Sequence, residues 1–420
     1  KQTELGIIPE DWEIVNLGSV AKINGRIGFR GYTTADLVGV GQGAYTIGGK
    51  HITNMVLDLH DAEYISWQKY YESPEIMVRK GDIVFAQRGT LGKSAFIVND
   101  IGPATINPSL VLINKIKCDN EYLSYWLQCD KIVEYICSIN SQTSIPMITQ
   151  NQIEHIPVVL SRIKAEQQAI AEALGDIDGL IATLDKKIAK KRLIKQGAMS
   201  QLLTGKKRLP GFSDPWVEKK LGEIGYTYSG LTGKSKDDFG QGNAKYITFL
   251  NVLANPILKE NLFGSITIRE NEQQNKVQFG DLFFNTSSET PEDVGTCAVL
   301  LSYHEELYLN SFCFGYRLTD DNVLGLYLAY YFRSRLGRQL MTSLAQGATR
   351  YNLSKELFNA SRIILPETKD EQIAIATMLN DMDKEIDDLE AQRDKYRLLK
   401  SGMMQKLLTG QIRLTKPLTN

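Results

Sequence analysis

At 420 residues the chain is longer than one hydrophobic core usually serves, so two or more domains are expected. Hydrophobic residues at 43% and charged residues at 23% are ordinary for soluble globular proteins, and no run approaches the ~18 to 20 apolar residues that cross a bilayer, which excludes a membrane span. The net charge is −1, so any polyanion site must come from local clustering.

Residues 1–11 have no apolar core of signal-peptide type, so secretion is not expected. The five cysteines, Cys118, Cys129, Cys137, Cys297 and Cys313, include no CxxC pair and fit reduced thiols in a cytoplasm. Glycine-punctuated stretches at 25–31 and 39–49 read as loops, short apolar runs at 82–85 and 109–113 as strands, and 122–139 as helix. A polar entry at 161–164 leads into a long helix from Glu166 to Thr204. Its apolar residues Ile170, Leu174, Ile177, Ile181, Leu184 and Ile188 alternate steps of four and three, as in a coiled-coil seam. Gly175 and Gly179 each weaken such a helix by close to ~1 kcal/mol, which leads us to expect close helix contact there.

Residues 204–214 read as a linker. Beyond them strands are expected at 246–250 and 281–284, a loop at 286–295, helix at 324–344, a polar entry at 365–370 and a second long helix. Its seam is Ile375, Leu379, Met382, Ile386 and Leu389. The domain portions are therefore α+β.

The order of elements occurs twice, and so does the sequence. The segment from Glu166 to Leu209 returns 205 positions later, from Glu371 to Leu414, with 22 identities in 44 positions. Average residue usage predicts roughly one in fifteen by chance. Upstream, Trp12 with Leu17-Gly18 matches Trp216 with Leu221-Gly222. Gly81-Asp82 matches Gly280-Asp281, and the string from Tyr122 to Trp126 matches that from Tyr327 to Tyr331.

Familiar catalytic chemistry is absent from the pattern. Residues 39–50 fail the GxxxxGK[ST] spacing, there is no GxGxxG fingerprint, and His51, His60, His155 and His304 are scattered without ligand spacing, so no metal is expected. Asn107-Pro108-Ser109 lacks the second proline and the aromatic residue of an adenine-methyltransferase loop and reads as a turn. No GxSxG elbow occurs.

Charge is distributed unevenly. Nine basic residues and no acidic one lie between Lys186 and Arg208, Lys190, Lys191 and Arg192 among them, while residues 381–390 hold six carboxylates. Two readings stand: pairing between the helices, or contact with phosphates. On the domain loops, basic, polar and aromatic residues interleave. The groups are Arg26, Phe29, Arg30 and Tyr32; Gln87, Arg88 and Lys93; Tyr228, Lys234 and Lys236; and Gln346, Arg350, Tyr351 and Asn352. Such side chains pair with base edges and anchor phosphates.

These features resemble the specificity subunits of type I restriction-modification enzymes. Residues 166–205 resemble that family's central conserved region and 371–410 its distal one; the Trp and Leu-Gly starts and the Gly-Asp strands resemble its target recognition domains. The resemblance implies a target recognition domain at 1–161, a long helix at 162–205, a second recognition domain at 206–365, a second helix at 366–410 and a tail at 411–420. It implies antiparallel helices with a pseudo-twofold internal repeat. Each domain would read one half of a bipartite asymmetric site in double-stranded DNA.

By the same resemblance the helices set the unread spacer and dock two modification (methyltransferase) subunits bringing S-adenosylmethionine. Restriction (endonuclease/translocase) subunits bring ATP and Mg²⁺, base flipping occurs in the partners, and this chain is non-catalytic and cytoplasmic, with no cofactor of its own. The loops after the Gly-Asp strands, 88–93 and 286–289 with Thr286 and Ser287, are the preferred base-reading segments. A single-chain restriction or methylation enzyme and a protein-only coiled-coil adaptor are the competing readings. Missing catalytic motifs disfavour the first, and dependence of binding on a bipartite sequence would separate the second.

Overall fold

The computed structural model describes residues 1–53, 55–140 and 146–414, and only the backbone of Phe29. The part of the expected tail beyond residue 414 lies outside the described residues. The chain forms two compact units, one of Lys1–Leu184 with the described residues from Gln392 onward, the other Asp185–Ala391.

In the first unit a four-stranded antiparallel sheet runs in the order Ser94–Phe96, Ile83–Ala86, Leu110–Asn114, Lys22–Gly25. A second sheet runs Ala104–Ile106, Gly43–Ile47, Glu63–Ser66, Leu37–Val38, its first pair parallel. Val84, Ala86, Leu110 and Leu112 pack against Ile47 and Ile106 of the second sheet. Their neighbours Ile83, Phe85, Val111 and Ile113 face the opposite way, into a core with Trp12, Tyr122 and Trp126. The central strands are thus covered on both faces, which is why they read as unbroken apolar runs rather than alternating ones. Gly81, at φ +90°, makes the turn into the first of them. The Asp82 carboxylate closes that turn by accepting the Arg79 N–H at 2.8 Å.

The strand Trp12–Asn16 pairs with Pro157–Ser161, bringing the two ends of this α+β portion together. Gly18 follows because a Cβ there would lie 3.1 Å from the Glu154 side chain.

The second unit repeats this plan. Its main sheet runs Cys297–Val299, Leu282–Asn285, Cys313–Leu318, Gly225–Ser229, and its second Leu307–Leu309, Phe239–Ile247, Phe263–Ile266, again opening with a parallel pair. Gly280 has φ +86°, and Asp281 accepts the Gln278 N–H at 2.8 Å. Trp216–Lys220 pairs with Arg362–Pro366, and a Cβ on Gly222 would meet the Asn359 carbonyl at 2.9 Å.

Several local expectations change. The strand expected at 246–250 ends at Ile247, and Thr248 instead caps a helix, Phe249–Ala254, by accepting the Asn251 N–H. The loop expected at 39–49 contains the strand Gly43–Ile47, whose alternation is masked by Gly and Thr. Residues 122–139 form two helices, Asn120–Trp126 and Asp130–Ser138, and 324–344 breaks at Ser334, which caps Arg335–Leu344. Gly175 meets side chains of the helix Asn120–Trp126, its missing Cβ leaving room for Glu121 and the Tyr125 hydroxyl, while Gly179 faces open space.

The long helices are Lys164–Leu202 and Lys369–Leu407, 39 residues each, about 58 Å at 1.5 Å per residue. Ile170 and Leu174 join the first unit's core beside Leu407 and Leu408, and Ile375 and Leu379 join the second unit's beside Leu202 and Leu203. The early seam positions therefore anchor the helices to their domains. Ile177, Ile386 and Leu389 are buried, and Ile181, Leu184 and Met382 half-buried.

In each unit, ion pairs set the helix direction. In the first, Asp178 pairs with Lys400 at 2.7 Å and Glu166 with Arg413 at 2.6 Å; in the second, Asp383 pairs with Lys195 and Glu371 with Arg208. Residue numbers rise along one segment as they fall along the other, so the crossing is antiparallel in both units. Tyr125 donates to Asp178 at 2.8 Å and Tyr330 to Asp383 at 2.9 Å. These are matching repeat positions: each unit takes its carboxylates from one copy and its cations from the other.

Candidate nucleic-acid interface

Where the strand Ile83–Ala86 leaves the first unit's sheet, three loops converge. The Gln87 and Arg88 backbone N–H groups both donate to the Ser109 carbonyl, at 3.0 and 3.3 Å, and the Gln87 side-chain amide donates to the Pro108 carbonyl at 3.0 Å. Asn107 folds the neighbouring turn, its Oδ1 accepting the Ser109 N–H at 3.0 Å and hydroxyl at 2.6 Å. The Asn107 N–H donates to the Ile47 carbonyl at 2.8 Å. A Cβ on Gly48 would strike the Asn107 amide at 2.6 Å, so glycine permits this approach. Beyond it the short turn Gly49–His51 carries Lys50, which lies 3.4 Å from Asp61.

Together these loops line a cavity of about 380 Å³ that includes Lys50, Arg88, Asn107 and Ser109. Its floor includes His51, whose Nδ1 accepts the Gly48 N–H at 2.9 Å. Burial, then the Lys50 charge, holds the His51 pKa below its ordinary value, leaving a neutral imidazole at pH 7. Arg88 is exposed with no ion-pair partner among the described residues, and Lys93, half-buried, has none either.

The corresponding edge of the second unit is built by the same bonds. Thr286 N–H donates to the Phe312 carbonyl at 2.9 Å, Asn310 Oδ1 accepts the Phe312 N–H at 2.9 Å, and Asn310 N–H donates to the Ile247 carbonyl at 3.2 Å. Ser287 pairs with Asn352 as Arg88 bridges to Met147. Lys50, Arg88 and Ser109 thus answer to Leu250, Ser287 and Phe312. Arg350 reaches across to donate to the Ser287 hydroxyl at 3.0 Å.

The remaining candidates sit elsewhere. Arg26 is buried, donating to the Ile106 carbonyl at 3.1 Å and the Thr105 hydroxyl at 2.9 Å, with its guanidinium 5.2 Å from the Tyr32 ring centre; it staples the core. Arg30 lies 3.5 Å from Glu75. Lys234 is enclosed, bonded to Glu272 and to the Thr267 carbonyl at 2.7 Å, whereas Lys236 is exposed on the turn Lys236–Asp238. Lys191 pairs with Glu385 at 2.7 Å and Arg192 with Glu390, which favours helix pairing for this part of the basic run; Lys190 stays exposed. The Phe29 side chain lies outside the described residues.

The sequence reading took Asn107 for a turn residue and singled out none of Lys50, Leu250 and Phe312 for the interface. The available signal was Asn107 against Asn310, but their spacing in the chain differs from that of the helices.

Among the described residues no group of three or more His, Cys, Asp or Glu is arranged to hold a metal, and no helix is long and apolar enough to cross a membrane.

Comparison with known proteins agrees with this architecture. The chain is 26% identical to a protein of Methanocaldococcus jannaschii named as a type I restriction enzyme MjaX specificity subunit, with 99% of this chain and 96% of that one covered. It is 24% identical to the MjaVIII specificity subunit of the same organism, covering 97% and 94%. The solved S subunit of a type I restriction-modification system from M. genitalium superposes with a TM-score of 0.58 at 15% identity over 97% of both chains, a likeness of fold. Residues 9–191 and 213–396 each match the profile of the type I restriction modification DNA specificity domain. With that profile matched twice, the chain belongs to the type I restriction-modification specificity family, as a specificity subunit with two DNA-recognition domains.

Proposed function

We propose that each unit reads one half of a bipartite, asymmetric site in double-stranded DNA. The first unit would read through the edge holding Lys50, Gln87, Arg88, Asn107 and Ser109, the second through Thr286, Ser287, Arg350 and their neighbours. The observation that carries this reading is the repeated loop edge: one set of backbone bonds supports Lys50, Arg88 and Ser109 in one unit and Leu250, Ser287 and Phe312 in the other. A shared frame with different side chains suits two different half-sites.

The long helices set the unread spacer and dock partners. Support comes from a repeated apolar pair: Leu193 is 69% and Ile194 47% exposed, and their repeat counterparts Leu398 and Leu399 are 76% and 48% exposed. Equal surfaces at equal repeat positions suit two copies of one partner, here the modification subunits. This chain is then the non-catalytic reader. S-adenosylmethionine belongs with the modification subunits, ATP and Mg²⁺ with the restriction subunits.

The test is methylome sequencing of a host carrying this chain with its modification subunit. One bipartite, asymmetric modified motif is expected, and its absence would overturn the reading.

A further inference from the structure

On the reading that both units recognise DNA, the difference between their matching edges bears on which base is read. Phe312 is 58% and Leu250 73% exposed, a large apolar surface at positions where the first unit carries Ser109 and Lys50. The ring is held in place: its backbone is bonded on both sides by Asn310 and Thr286, and the Phe249 ring meets it edge-on with centres 6.4 Å apart. Cations flank it. Arg350 sits on the Ser287 hydroxyl, and Lys355 donates to the Ser229 hydroxyl at 3.0 Å. An apolar projection on an edge that also carries positive charge suits a groove edged by phosphates.

Phe and Leu can neither donate to purine acceptors nor accept from the cytosine amine. The one apolar feature that a base pair shows in the major groove is the thymine 5-methyl group. We propose that Phe312, supported by Leu250, contacts the 5-methyl group of a thymine in the second half-site and selects thymine over cytosine at that position. Arg88 and Lys50 give the first unit donors for purine acceptors at the matching place, so the two half-sites differ in the kind of contact as well as in sequence.

The test uses the full chain with its modification subunits and duplexes carrying the motif found by methylome sequencing. Each thymine of the second half-site is replaced in turn by deoxyuridine, which keeps every hydrogen-bonding group and lacks only the methyl. One replacement should weaken binding about fourfold, as expected for one buried methyl-sized group. Phe312→Ala, a truncation at the surface, should bind that duplex and its thymine parent equally, while its response to changes in the first half-site stays as in the unsubstituted chain. The proposal is overturned if no deoxyuridine weakens binding, or if the weakening persists in Phe312→Ala. Uniform loss on every duplex would also overturn it and make the ring a wedge between base pairs. A bipartite motif in the methylome alongside any of these results would leave the broader reading standing; no motif would remove both.

Discussion

The two units close on their long helices through the same residues, yet the closures are unequally supported. In the first, the buried Glu166 carboxylate receives Arg413, the Ser161 hydroxyl at 2.6 Å and the Trp12 indole N–H at 3.2 Å. In the second, Glu371 is equally buried and, among the described residues, receives only Arg208, at 2.6 and 2.7 Å. Pro366 stands where Ser161 stands and has no donor, and the Trp216 indole nitrogen finds no partner among the described residues. The two copies share the ion pair and differ in its support. Removing one partner of a buried pair strands the other charge. We therefore expect Arg208→Ala to destabilise the second unit by about 4 kcal/mol and Arg413→Ala the first by about 3 kcal/mol, read from hydrogen exchange of each unit's amides. The opposite order would break the comparison.

Acid titration sharpens it. Burial alone would push the Glu166 pKa up, but Arg413, Ser161 and Trp12 together hold it below its ordinary value. A carboxyl with a depressed pKa adds stability above its unfolded pKa of about 4.3, and that stability is lost as pH falls through the folded value. The first unit should therefore lose protection below the ordinary glutamate range. In Arg413→Ala the largest of the lowering contacts is gone and burial meets less opposition, so this acid-side loss should shrink. An unchanged acid limb in exchange-detected unfolding would contradict this.

The recognition edges test the comparison at the level of DNA. Arg88→Ala should relax discrimination by about 1–3 kcal/mol at one position of the first half-site and leave the second half-site unchanged, as read by methylome sequencing and competition binding. Equal weakening on all DNA would instead mark a phosphate contact. On the helices, Leu398→Glu places a charge in one of the two repeated apolar pairs. It should weaken capture of one modification subunit by about tenfold, the magnitude of losing one well-buried apolar contact. On the proposed docking, the stoichiometry by mass should drop from two to one at limiting concentration, the pair Leu193 and Ile194 being unaltered.

Much of the fold was legible because the repeat is strict where both copies meet the same neighbours. Glu166, Asp178, Lys195 and Arg208 recur as Glu371, Asp383, Lys400 and Arg413 because each must find its partner from the other copy. Leu17-Gly18 and Gly81-Asp82 recur because a close approach and a left-handed turn admit few alternatives. The site was less legible for the converse reason. Its positions lie in loops of differing length, so Ser109 and Phe312 fall out of register although the same Asn turn holds both. Arg26 and Lys234 misled because a basic residue in a loop sequence looks alike whether it projects into solvent or, as here, bonds to carbonyls of its own unit.

The smallest expected effect settles the basic run on the first helix. Lys191 is partly exposed and bonded to Glu385, and such a pair contributes about 1 kcal/mol or less. Lys191→Ala should therefore change the second unit's stability by less than about 1 kcal/mol and leave the salt dependence of DNA binding unaltered, because its charge is already matched by a carboxylate. A lysine that met a phosphate would lower the slope of log K against log salt by about 0.9. Measured at several salt concentrations, a reduced slope for Lys191→Ala would transfer this residue from helix pairing to DNA, whereas an unchanged slope leaves the exposed Lys190 as the next position at which to look for a phosphate.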